Sequence, residues 1–459
     1  MLGDLPRQVD PGAIDLYLTY QYVPHPHTIY KGINKLAPGH VATYRHDRFE
    51  SNSFWNIDWS QQKPISRDDA IDKVRHLLDD SVRIRLQSDV PLGAFLSGGI
   101  DSSLIVALAQ KHMQQPIKTF SIGFPVKDYD ETHYAQMVAD HVGSEHRRFE
   151  VTPDAISVLE KLIYHYDEPF SDSSAIPTWY LAEHTRQQVT VALSGDGGDE
   201  LFAGYDRYRA LWLSQLTHKM LPLHAILNSP LIQGLPSSDR QRSFVRRVKR
   251  FGEALGQSPV RRYMNWIQIF GEAQRTALYR EDFIEQLPNR DPVSFLESAW
   301  KKSGNRDVVA RASMSDLQTY LPCDLMTKVD IASMAHSLEV RQPLLDYRLV
   351  ELAASLPTEL KFRRGQGKLL LRDAFRDLLP EAIWHRKKMG FGVPIAEWFK
   401  GPLKAITEST LLSPDARCHA YFRREALEQL VKEHMTGRNN QGYRLRNLFI
   451  LEHWLRRWT

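Results

Sequence analysis

One short segment of this chain combines the residue types that bind a phosphate group. It reads Ser-Gly-Gly-Ile-Asp-Ser-Ser over residues 97–103, directly after the apolar run at 93–96 and directly before a helical pattern. Two glycines let the backbone approach a bulky anion, and a helix N-terminus supplies N–H groups and the positive end of the helix dipole. Ser97, Ser102 and Ser103 add hydroxyl donors. The segment therefore predicts a phosphate-binding site.

Asp101 is the member of this segment that a phosphate would repel. A magnesium ion resolves the conflict, because it binds carboxylate and phosphate oxygens together. The structural alternative is a strand-to-helix turn in which Asp101 only caps the helix. The sequence holds neither the Gly-x-x-x-x-Gly-Lys-Ser/Thr loop of ordinary P-loop proteins nor a dinucleotide-binding Gly-x-Gly-x-x-Gly context.

A second segment of similar composition, Ser-Gly-Asp-Gly-Gly-Asp-Glu over residues 194–200, follows the apolar run at 189–193. In an open parallel sheet, both turns lie at the carboxyl ends of strands, where such sheets bind ligands. Asp101 and Asp199 would then share the metal, while Ser194 and Gly195 approach a nucleotide. A lone acidic, glycine-rich loop is usually only a turn, so the pair is more specific than either segment.

The elements that must position these loops follow an α/β alternation. A helix is predicted from about residue 67, after the cap Ser66. Strands are predicted at 92–96, 118–124, 148–151 and 189–193, and helices at 102–113, 134–142, 155–166 and 175–186. This order predicts a parallel sheet covered on both faces. Residues 1–60 carry short extended and turn signals, and beyond about 205 strand signals fade into helical patterns.

Bulk properties exclude several classes of protein. A chain of 459 residues predicts two or three domains, and no apolar run is long enough to span a membrane. The N-terminus lacks the features of a signal peptide, so we expect a cytoplasmic protein. Two distant cysteines give no support for a disulfide framework or a zinc site. A net charge of +4 falls short of a nucleic-acid-binding footprint.

The chain resembles a known family through several motifs in the family's order. The segment at 97–103 resembles the pyrophosphate loop of the ATP pyrophosphatases. Further motifs are similar to the synthetase domain of the glutamine-hydrolysing asparagine synthetases. They lie at 119–124, 194–200, 328–330, 333–346, 367–372 and 386–391. The resemblance implies a parallel sheet of the adenine nucleotide alpha hydrolase type, followed by a helical C-terminal region.

The reaction that this resemblance implies needs ATP and Mg²⁺. Aspartate would be converted to asparagine through β-aspartyl-AMP, with release of AMP and pyrophosphate. Asp101 and Asp199 would bind the Mg²⁺, and Lys388 would stabilise the adenylation transition state, leaving Lys387 as a surface charge. The expected ATP contacts are Leu96, Ser97, Gly98, Gly99, Asp101, Ser102, Ser103, Ile122, Ser194 and Gly195.

Other polar residues in the matching motifs have less settled roles. Asp196 stands where better-studied members have a glutamate that assists ammonia attack and removes a proton, and its side chain is one methylene shorter. Arg341 and Glu339 would either orient the carboxylate substrate or form a buried structural ion pair. Lys368 and Arg372 would face either phosphate or solvent.

The N-terminal region departs from the family pattern. Full-length members begin with a glutaminase domain that uses an N-terminal cysteine, whereas residue 2 here is Leu and both cysteines lie far along the chain. Residues 13–60 resemble the end of that domain and its linker. We therefore expect a glutaminase remnant with linker over 1–60, a synthetase domain over 61–400 with its ATP-binding core at 66–205, and a helical extension over 401–459. Either the chain is a fragment of a longer protein, or its ammonia is free or supplied by a partner glutaminase.

Several other functions remain open on the sequence. Relatives with this domain amidate other carboxylates or close a β-lactam ring, although ring-closing relatives are expected to carry a tyrosine near position 196. A non-catalytic ATP-binding subunit would scaffold a glutaminase, but it would need none of Asp101, Asp199 and Lys388. A tRNA-modifying ligase would favour a redox cysteine pair or a basic face. We expect no nucleic-acid or membrane partner, and the resemblance allows a homodimer.

Overall fold

A five-stranded parallel sheet lies at the centre of the protein. The computed structural model describes residues 7–60, 62–123, 130–150, 155–217, 257–386 and 392–459. The strands in these residues are β1 (His40–Arg45), β2 (Arg48–Ser53), β3 (Leu92–Phe95), β4 (Lys118–Gly123), β5 (Glu145–Glu150), β6 (Val191–Leu193) and β7 (Glu339–Arg341). Strands β3 to β7 form the parallel sheet in the order β5-β4-β3-β6-β7, and β1 and β2 form a separate antiparallel hairpin. The prediction of an α/β fold with a parallel sheet is confirmed.

The helices of the first half lie before and between the strands of the parallel sheet. They are α1 (Pro11–Tyr20), α2 (Arg67–Arg85), α3 (Ile100–His112), α4 (Thr132–Val142), α5 (Ala155–His165), α6 (Ala175–Arg186), α7 (Gly198–Leu201) and α8 (Asp206–Thr217). Helix α2 begins where the sequence predicts, because the Ser66 side chain accepts a hydrogen bond from the Asp69 N–H and caps the helix. Strand β5 begins three residues before the predicted 148, because Lys118 at the start of β4 pairs with Glu145.

Helix α1 was not predicted from the extended and turn signals at the N-terminus. Nine of its ten residues are buried, so the helix has buried residues on all sides. Its sequence therefore lacks the alternation of polar and apolar faces that predicts an amphipathic helix. Asp10 caps it by accepting a hydrogen bond from the Gly12 N–H. The Tyr17 hydroxyl donates to the carbonyl of Asn447 over 2.8 Å, which ties α1 to the C-terminal helix.

The second half of the described chain is mainly helical. Its helices with six or more residues are Pro259–Ile267, Glu272–Leu278, Val293–Lys302, Val308–Gln318, Thr327–Met334, Tyr347–Ser355, Leu369–Phe375, Ile395–Lys400, Lys404–Leu411, Arg424–Met435 and Gly442–Trp458, with a π-helical segment at Leu321–Met326. Short helices lie at Glu281–Ile284, Thr358–Lys361 and Glu381–His385, and 3₁₀ turns at Pro343–Leu345, Arg376–Leu378 and Arg417–Ala420. Strand β7 interrupts this helical region, contrary to the fading of strand signals after 205. Its three residues are too few, and two of them too polar, to give a strand pattern.

Two buried apolar clusters cover the two faces of the sheet. Consecutive strand residues point to opposite faces, and Ala192 accordingly belongs to one cluster and Leu193 to the other. The first cluster combines residues of α1, α5, α6 and the C-terminal helix, and the second combines α2, α3 and α4 with the helix Tyr347–Ser355. The N-terminal and C-terminal segments therefore share one core, and domain boundaries at 60 and 400 stay a prediction.

Some features bear on the function classes considered above. Both cysteines are free thiols, and burial raises the pKa of Cys323 to about 11, which suits a structural thiol better than a nucleophile. None of the helices in the described ranges is long and apolar enough to cross a membrane. The basic run at 242–250, which the sequence favours as one face of an amphipathic helix, lies outside the described residues.

The buried side chain of Lys361 should make the free energy of unfolding depend on pH. The Lys361 ammonium donates to the carbonyl of Ala353 over 2.7 Å and lies 5.0 Å from the centroid of the Trp59 ring. Burial lowers the pKa of Lys361 from 10.5 to about 7, so the folded state binds fewer protons than the unfolded state between these values. The free energy of unfolding should therefore rise as pH increases from about 7 to about 10.

Urea unfolding at pH 7, 8 and 9 measures this effect. In Lys361→Met, the rise in unfolding free energy with pH should be smaller than in the wild type. Lys404→Met, which changes an exposed lysine on a surface helix, should keep the wild-type slope. An equal slope in Lys361→Met and the wild type would show that Lys361 does not titrate in this range.

Candidate active site

The first glycine-rich segment connects β3 to α3 at the carboxyl end of the sheet. Helix α3 begins at Ile100, two residues before the predicted start, with Gly99 as its N-cap. Asp101, Ser102 and Ser103 therefore lie in the first turn of the helix and not in the preceding loop. The backbone N–H groups of Asp101 and Ser102 belong to the helix N-terminus, which is the arrangement that the sequence predicts for a phosphate site, whereas the Ser103 N–H donates to the carbonyl of Gly99 over 3.0 Å.

Internal hydrogen bonds fix the shape of this turn. The hydroxyls of Ser97 and Ser102 lie 3.0 Å apart, and Ser97 Oγ accepts from the Gly99 N–H over 3.3 Å. Gly98 has a φ of 71°, and a Cβ at this position would lie 2.5 Å from the backbone nitrogen of Ala135 in α4. Only glycine fits both the backbone conformation and this close approach.

The second glycine-rich segment follows β6 and leads into α7. The Ser194 hydroxyl donates to Asp196 Oδ2 over 2.8 Å, and the Ser194 N–H donates to the carbonyl of Arg341 in β7 over 2.9 Å. Asp196 is half-buried. A Cβ on Gly195 would lie 2.5 Å from the Ser102 nitrogen, so the two segments contact each other backbone to backbone. The structure thus brings together the two loops that the sequence pairs.

This backbone contact makes Gly195→Ala a test of the site. The added methyl group must push the two loops apart, and a displacement of about 1 Å can cost on the order of 10²-fold in rate. We expect a loss of this size in ATP-dependent pyrophosphate release.

Gly143→Ala is the matched control, because a Cβ there meets nothing within 4 Å, although its φ of 70° strains the backbone. It should lower stability by about 1 kcal/mol and keep the activity. Equal activity of the two variants would mean that the loop contact does not matter.

The two carboxylates proposed as metal ligands converge on one cation. The side chains of Asp101 and Asp199 are only 12% and 10% exposed. Both contact the ammonium of Lys368, which lies 2.6 Å from Asp199 Oδ1. Burial disfavours the charged lysine, but Asp101 and Asp199 outweigh it and raise the pKa of Lys368 above its usual value.

Lys368 reaches this position through a strained, closely packed segment. It adopts a left-handed conformation with a φ of 57°, and its N–H donates to the carbonyl of Phe202 over 2.8 Å. A Cβ on Gly367 would collide with the carbonyl oxygen of Ala203, and one on Gly204 with both the Asp199 carboxylate and the Lys368 side chain. The solvent-facing option for Lys368 was therefore wrong, since only 7% of its side chain is exposed.

The donor set here fits Mg²⁺ bound together with a nucleotide. Within the described ranges, no group of three or more His, Cys, Asp or Glu residues could hold a metal by itself. Mg²⁺ is commonly held by one or two carboxylates plus substrate phosphates, so two converging aspartates beside a phosphate-type turn are sufficient. The Lys368 ammonium marks the point between them where a cation is stabilised.

The other residues expected to contact the nucleotide lie near the same end of the sheet. Leu96 and Ile122 are buried at the ends of the neighbouring strands β3 and β4, and the Leu96 N–H donates to the carbonyl of Phe120 over 2.8 Å. Lys388 and Lys387 lie outside the described residues.

Arg386 begins the motif that contains Lys387 and Lys388, and it contacts the first glycine-rich turn. Its guanidinium donates to the carbonyl of Gly98 over 2.7 Å, pairs with Glu131 and lies 4.5 Å from the centroid of the Tyr134 ring. Sequence reasoning did not single out Arg386, although its place at the start of the 386–391 motif was a usable signal.

Arg341 binds other parts of the scaffold. Its Nε donates to Glu339 over 2.6 Å, and its Nη1 donates to the carbonyls of Arg85 and Gln87 over 2.8 and 2.7 Å. These bonds satisfy carbonyl groups at the C-terminus of α2. The sequence expectation of an ion pair between Arg341 and Glu339 is met, but the pair is not buried as expected, because 56% of the Glu339 side chain is exposed.

A buried cationic group lies near Asp196. Lys328 donates to Asp172 Oδ2 over 3.0 Å and to Ser174 Oγ over 2.7 Å. Burial opposes its charge, but Asp172, Asp324 and Asp196 together raise the pKa of Lys328. Burial opposes the charge of Asp172 as well, but the ammonium of Lys328 outweighs it and lowers the pKa of Asp172, so this carboxylate is ionised. No sequence pattern connects these residues, because the Asp172–Lys328 contact joins positions 156 residues apart.

The fold and the paired loops define the class of protein as an enzyme of the ATP pyrophosphatase type, in which the nucleotide is expected at the carboxyl end of the sheet. A profile described as asparagine synthase matches residues 73–456, and the chain belongs to the asparagine synthase family. Such an enzyme is a ligase that forms a C–N bond, and ATP-dependent amidation is the family's class of reaction.

Named relatives support this assignment. The chain is 32% identical over 454 residues to asparagine synthetase [glutamine-hydrolyzing] 1 of Bacillus subtilis (strain 168), which covers 97% of this chain and 69% of the relative. It is 27% identical over 428 residues to asparagine synthetase [glutamine-hydrolyzing] 3 of the same organism, with 88% and 61% covered. Amidase chyE of Penicillium rubens is 25% identical over 458 residues, with 91% and 67% covered.

Proposed function

We propose that this chain converts aspartate to asparagine through β-aspartyl-AMP, releasing AMP and pyrophosphate. The observation that carries the proposal is the convergence of Asp101 and Asp199, from the two glycine-rich segments at adjacent strand ends, on one cation beside a phosphate-type turn. The names of the asparagine synthetases that match the chain support aspartate as the substrate.

Each part of the site has a role in this proposal. Asp101 and Asp199 hold Mg²⁺, which when bound neutralises charge on the phosphates. Lys388 stabilises the charge that develops on the phosphates during adenylation. The pyrophosphate is held by Ser97, Gly98, Gly99, Ser102 and Ser103, and the adenosine by Leu96, Ile122, Ser194 and Gly195.

The proposed reaction has two steps at the substrate carboxylate. An oxygen of the β-carboxylate attacks the α-phosphorus of ATP, and the bond to pyrophosphate breaks. Ammonia then attacks the acyl carbon, and AMP leaves with the oxygen that came from aspartate. Asp196 accepts the proton that the nitrogen loses. The tight contact between the loops helps to keep water from the acyl-adenylate.

We also propose a nitrogen source, a partner, a location and an oligomeric state for the enzyme. Ammonia is either free or supplied by a glutaminase elsewhere, which would make a glutaminase the expected protein partner. We also propose a cytoplasmic location, small-molecule substrates and a homodimer, in line with the family.

Analysis of the products tests the function. The full chain is incubated with Mg²⁺-ATP and aspartate, with either ammonium chloride or glutamine, and the phosphorus products are followed by ³¹P NMR. We expect AMP, pyrophosphate and asparagine with ammonium. Formation of ADP and phosphate would contradict adenylation, and absence of aspartate-dependent pyrophosphate would contradict aspartate as the substrate.

A second candidate keeps the adenylation and changes the carboxylate. It is favoured by the matches to two proteins named amidase, chyE of Penicillium rubens and chry2 of Gibberella zeae (strain ATCC MYA-4620 / CBS 123657 / FGSC 9075 / NRRL 31084 / PH-1). A panel of carboxylic acids in the pyrophosphate assay distinguishes the two candidates, because only the true substrate stimulates release above the background.

A further inference from the structure

The Asp101–Asp199 pair holds an internal cation in the structure, the ammonium of Lys368. We propose that Lys368 occupies the metal position of this pair until a nucleotide arrives, so that the site accepts a divalent cation only together with phosphate. Lys368 is then a positioning residue that sets the order of binding. The inference rests on the proposed Mg²⁺-ATP site and adds a role that neither the motif nor the family assignment gives.

The surrounding backbone is built to deliver this side chain. The left-handed backbone at Lys368 is strained in a residue with a Cβ, and the hydrogen bond from its N–H to the carbonyl of Phe202 holds it in place. Gly367 and Gly204 permit an approach that no other residue would allow. A solvent-facing or purely structural lysine would need neither this strained backbone nor this close approach.

The ammonium of Lys368 and a divalent cation compete for the same two carboxylates. Two buried carboxylates with no cation between them would be strongly unfavourable. One cation placed between them compensates both charges. Mg²⁺ requires oxygen ligands at about 2.0–2.1 Å, so it cannot bind these carboxylates while the ammonium of Lys368 contacts both. Free Mg²⁺ must therefore displace a bound charge, which weakens its binding.

A nucleotide removes this obstacle because it offers the lysine a new anionic partner. The ammonium sits on a flexible four-carbon stem and can turn from the carboxylates toward phosphate oxygens. Asp101 lies in the first turn of α3, so the phosphates expected at that helix N-terminus lie close to the pair. The carboxylates then become available to the cation that accompanies the nucleotide.

Binding of Mn²⁺ to the full chain tests the inference without turnover. Free Mn²⁺ is measured by EPR with no nucleotide present, and we expect Lys368→Met to bind it at least about tenfold more tightly than the wild type. Lys361→Met, a buried lysine with no carboxylate contact in the described structure, should match the wild type. Equal Mn²⁺ affinity in Lys368→Met and the wild type would overturn the proposal, even in a chain that makes asparagine.

A second measurement does not depend on the folding of any variant. Wild-type protein is titrated with Mn²⁺ in the presence and absence of a non-hydrolysable ATP analogue, with correction for metal bound by the analogue itself. We expect at least about tenfold tighter binding with the analogue. Tight, nucleotide-independent Mn²⁺ binding to the wild type would refute the inference, whereas failure of the asparagine assay alone would refute only the proposed function.

Discussion

Replacement of Asp199 by Asn should reduce pyrophosphate release by about 10²–10³-fold and weaken binding of Mg²⁺-ATP. Asn keeps the size of the side chain but removes one of the two charges that converge at the proposed metal position. Mg²⁺ then loses a hard anionic ligand, and the phosphates lose the neutralisation that it supplies. The measurements are the Mg²⁺ dependence of turnover and calorimetric titration with Mg²⁺-ATP.

Asp346→Asn is the matched control for this substitution. Asp346 is also a buried aspartate in an ion pair, because it accepts from Arg85 and Arg348 and caps the helix Tyr347–Ser355. It lies outside the two loops, so Asp346→Asn should lower thermal stability and leave the Mg²⁺ dependence unchanged. Unaltered Mg²⁺-ATP affinity in Asp199→Asn would remove Asp199 from the proposed ligands.

Lys388→Ala should reduce turnover by a similar factor, about 10²–10³-fold, while binding of ATP stays close to that of the wild type. The charge of Lys388 is needed mainly while the phosphates reorganise, and an interaction made in the transition state affects rate more than ground-state binding. Arg386, two residues earlier, contacts Gly98 and so ties the start of this motif to the phosphate turn. Single-turnover kinetics with Mg²⁺-ATP and aspartate separate the chemical step from binding.

The neighbouring Lys387 provides the control for Lys388. Lys387→Ala removes the same kind of side chain from the adjacent position and should keep near-wild-type turnover. If Lys387→Ala and Lys388→Ala lost activity equally, a general loss of positive charge would explain the result better than a specific role. Unchanged turnover in Lys388→Ala would exclude Lys388 from the mechanism.

The placement of the two loops could be predicted from sequence for a physical reason. Each glycine-rich segment directly follows an apolar strand, and parallel strands present their carboxyl ends at one edge of the sheet. Adjacent pairing of β3 with β6 then brings Asp101 and Asp199 together. Helix α1 escaped prediction because it is buried on nearly all sides and shows no amphipathic period.

Contacts between distant parts of the chain could not be predicted in the same way. Lys368 lies 267 residues from Asp101, and its motif was equally compatible with a solvated helix face. Its left-handed backbone and the close approach of Gly204 and Gly367 have meaning only in the folded chain. Arg341 likewise has the residue type of a carboxylate ligand, and only the carbonyls at the end of α2 reveal its structural role.

Transfer of an oxygen isotope tests the central claim most directly. Aspartate labelled with ¹⁸O in its β-carboxylate is incubated with Mg²⁺-ATP and ammonium chloride, and AMP is analysed by mass spectrometry. Because the carboxylate oxygen that attacks the α-phosphorus leaves with AMP, the predicted result is one ¹⁸O in each AMP, formed together with asparagine. Unlabelled AMP, or ¹⁸O in inorganic phosphate alongside ADP, would contradict an acyl-adenylate.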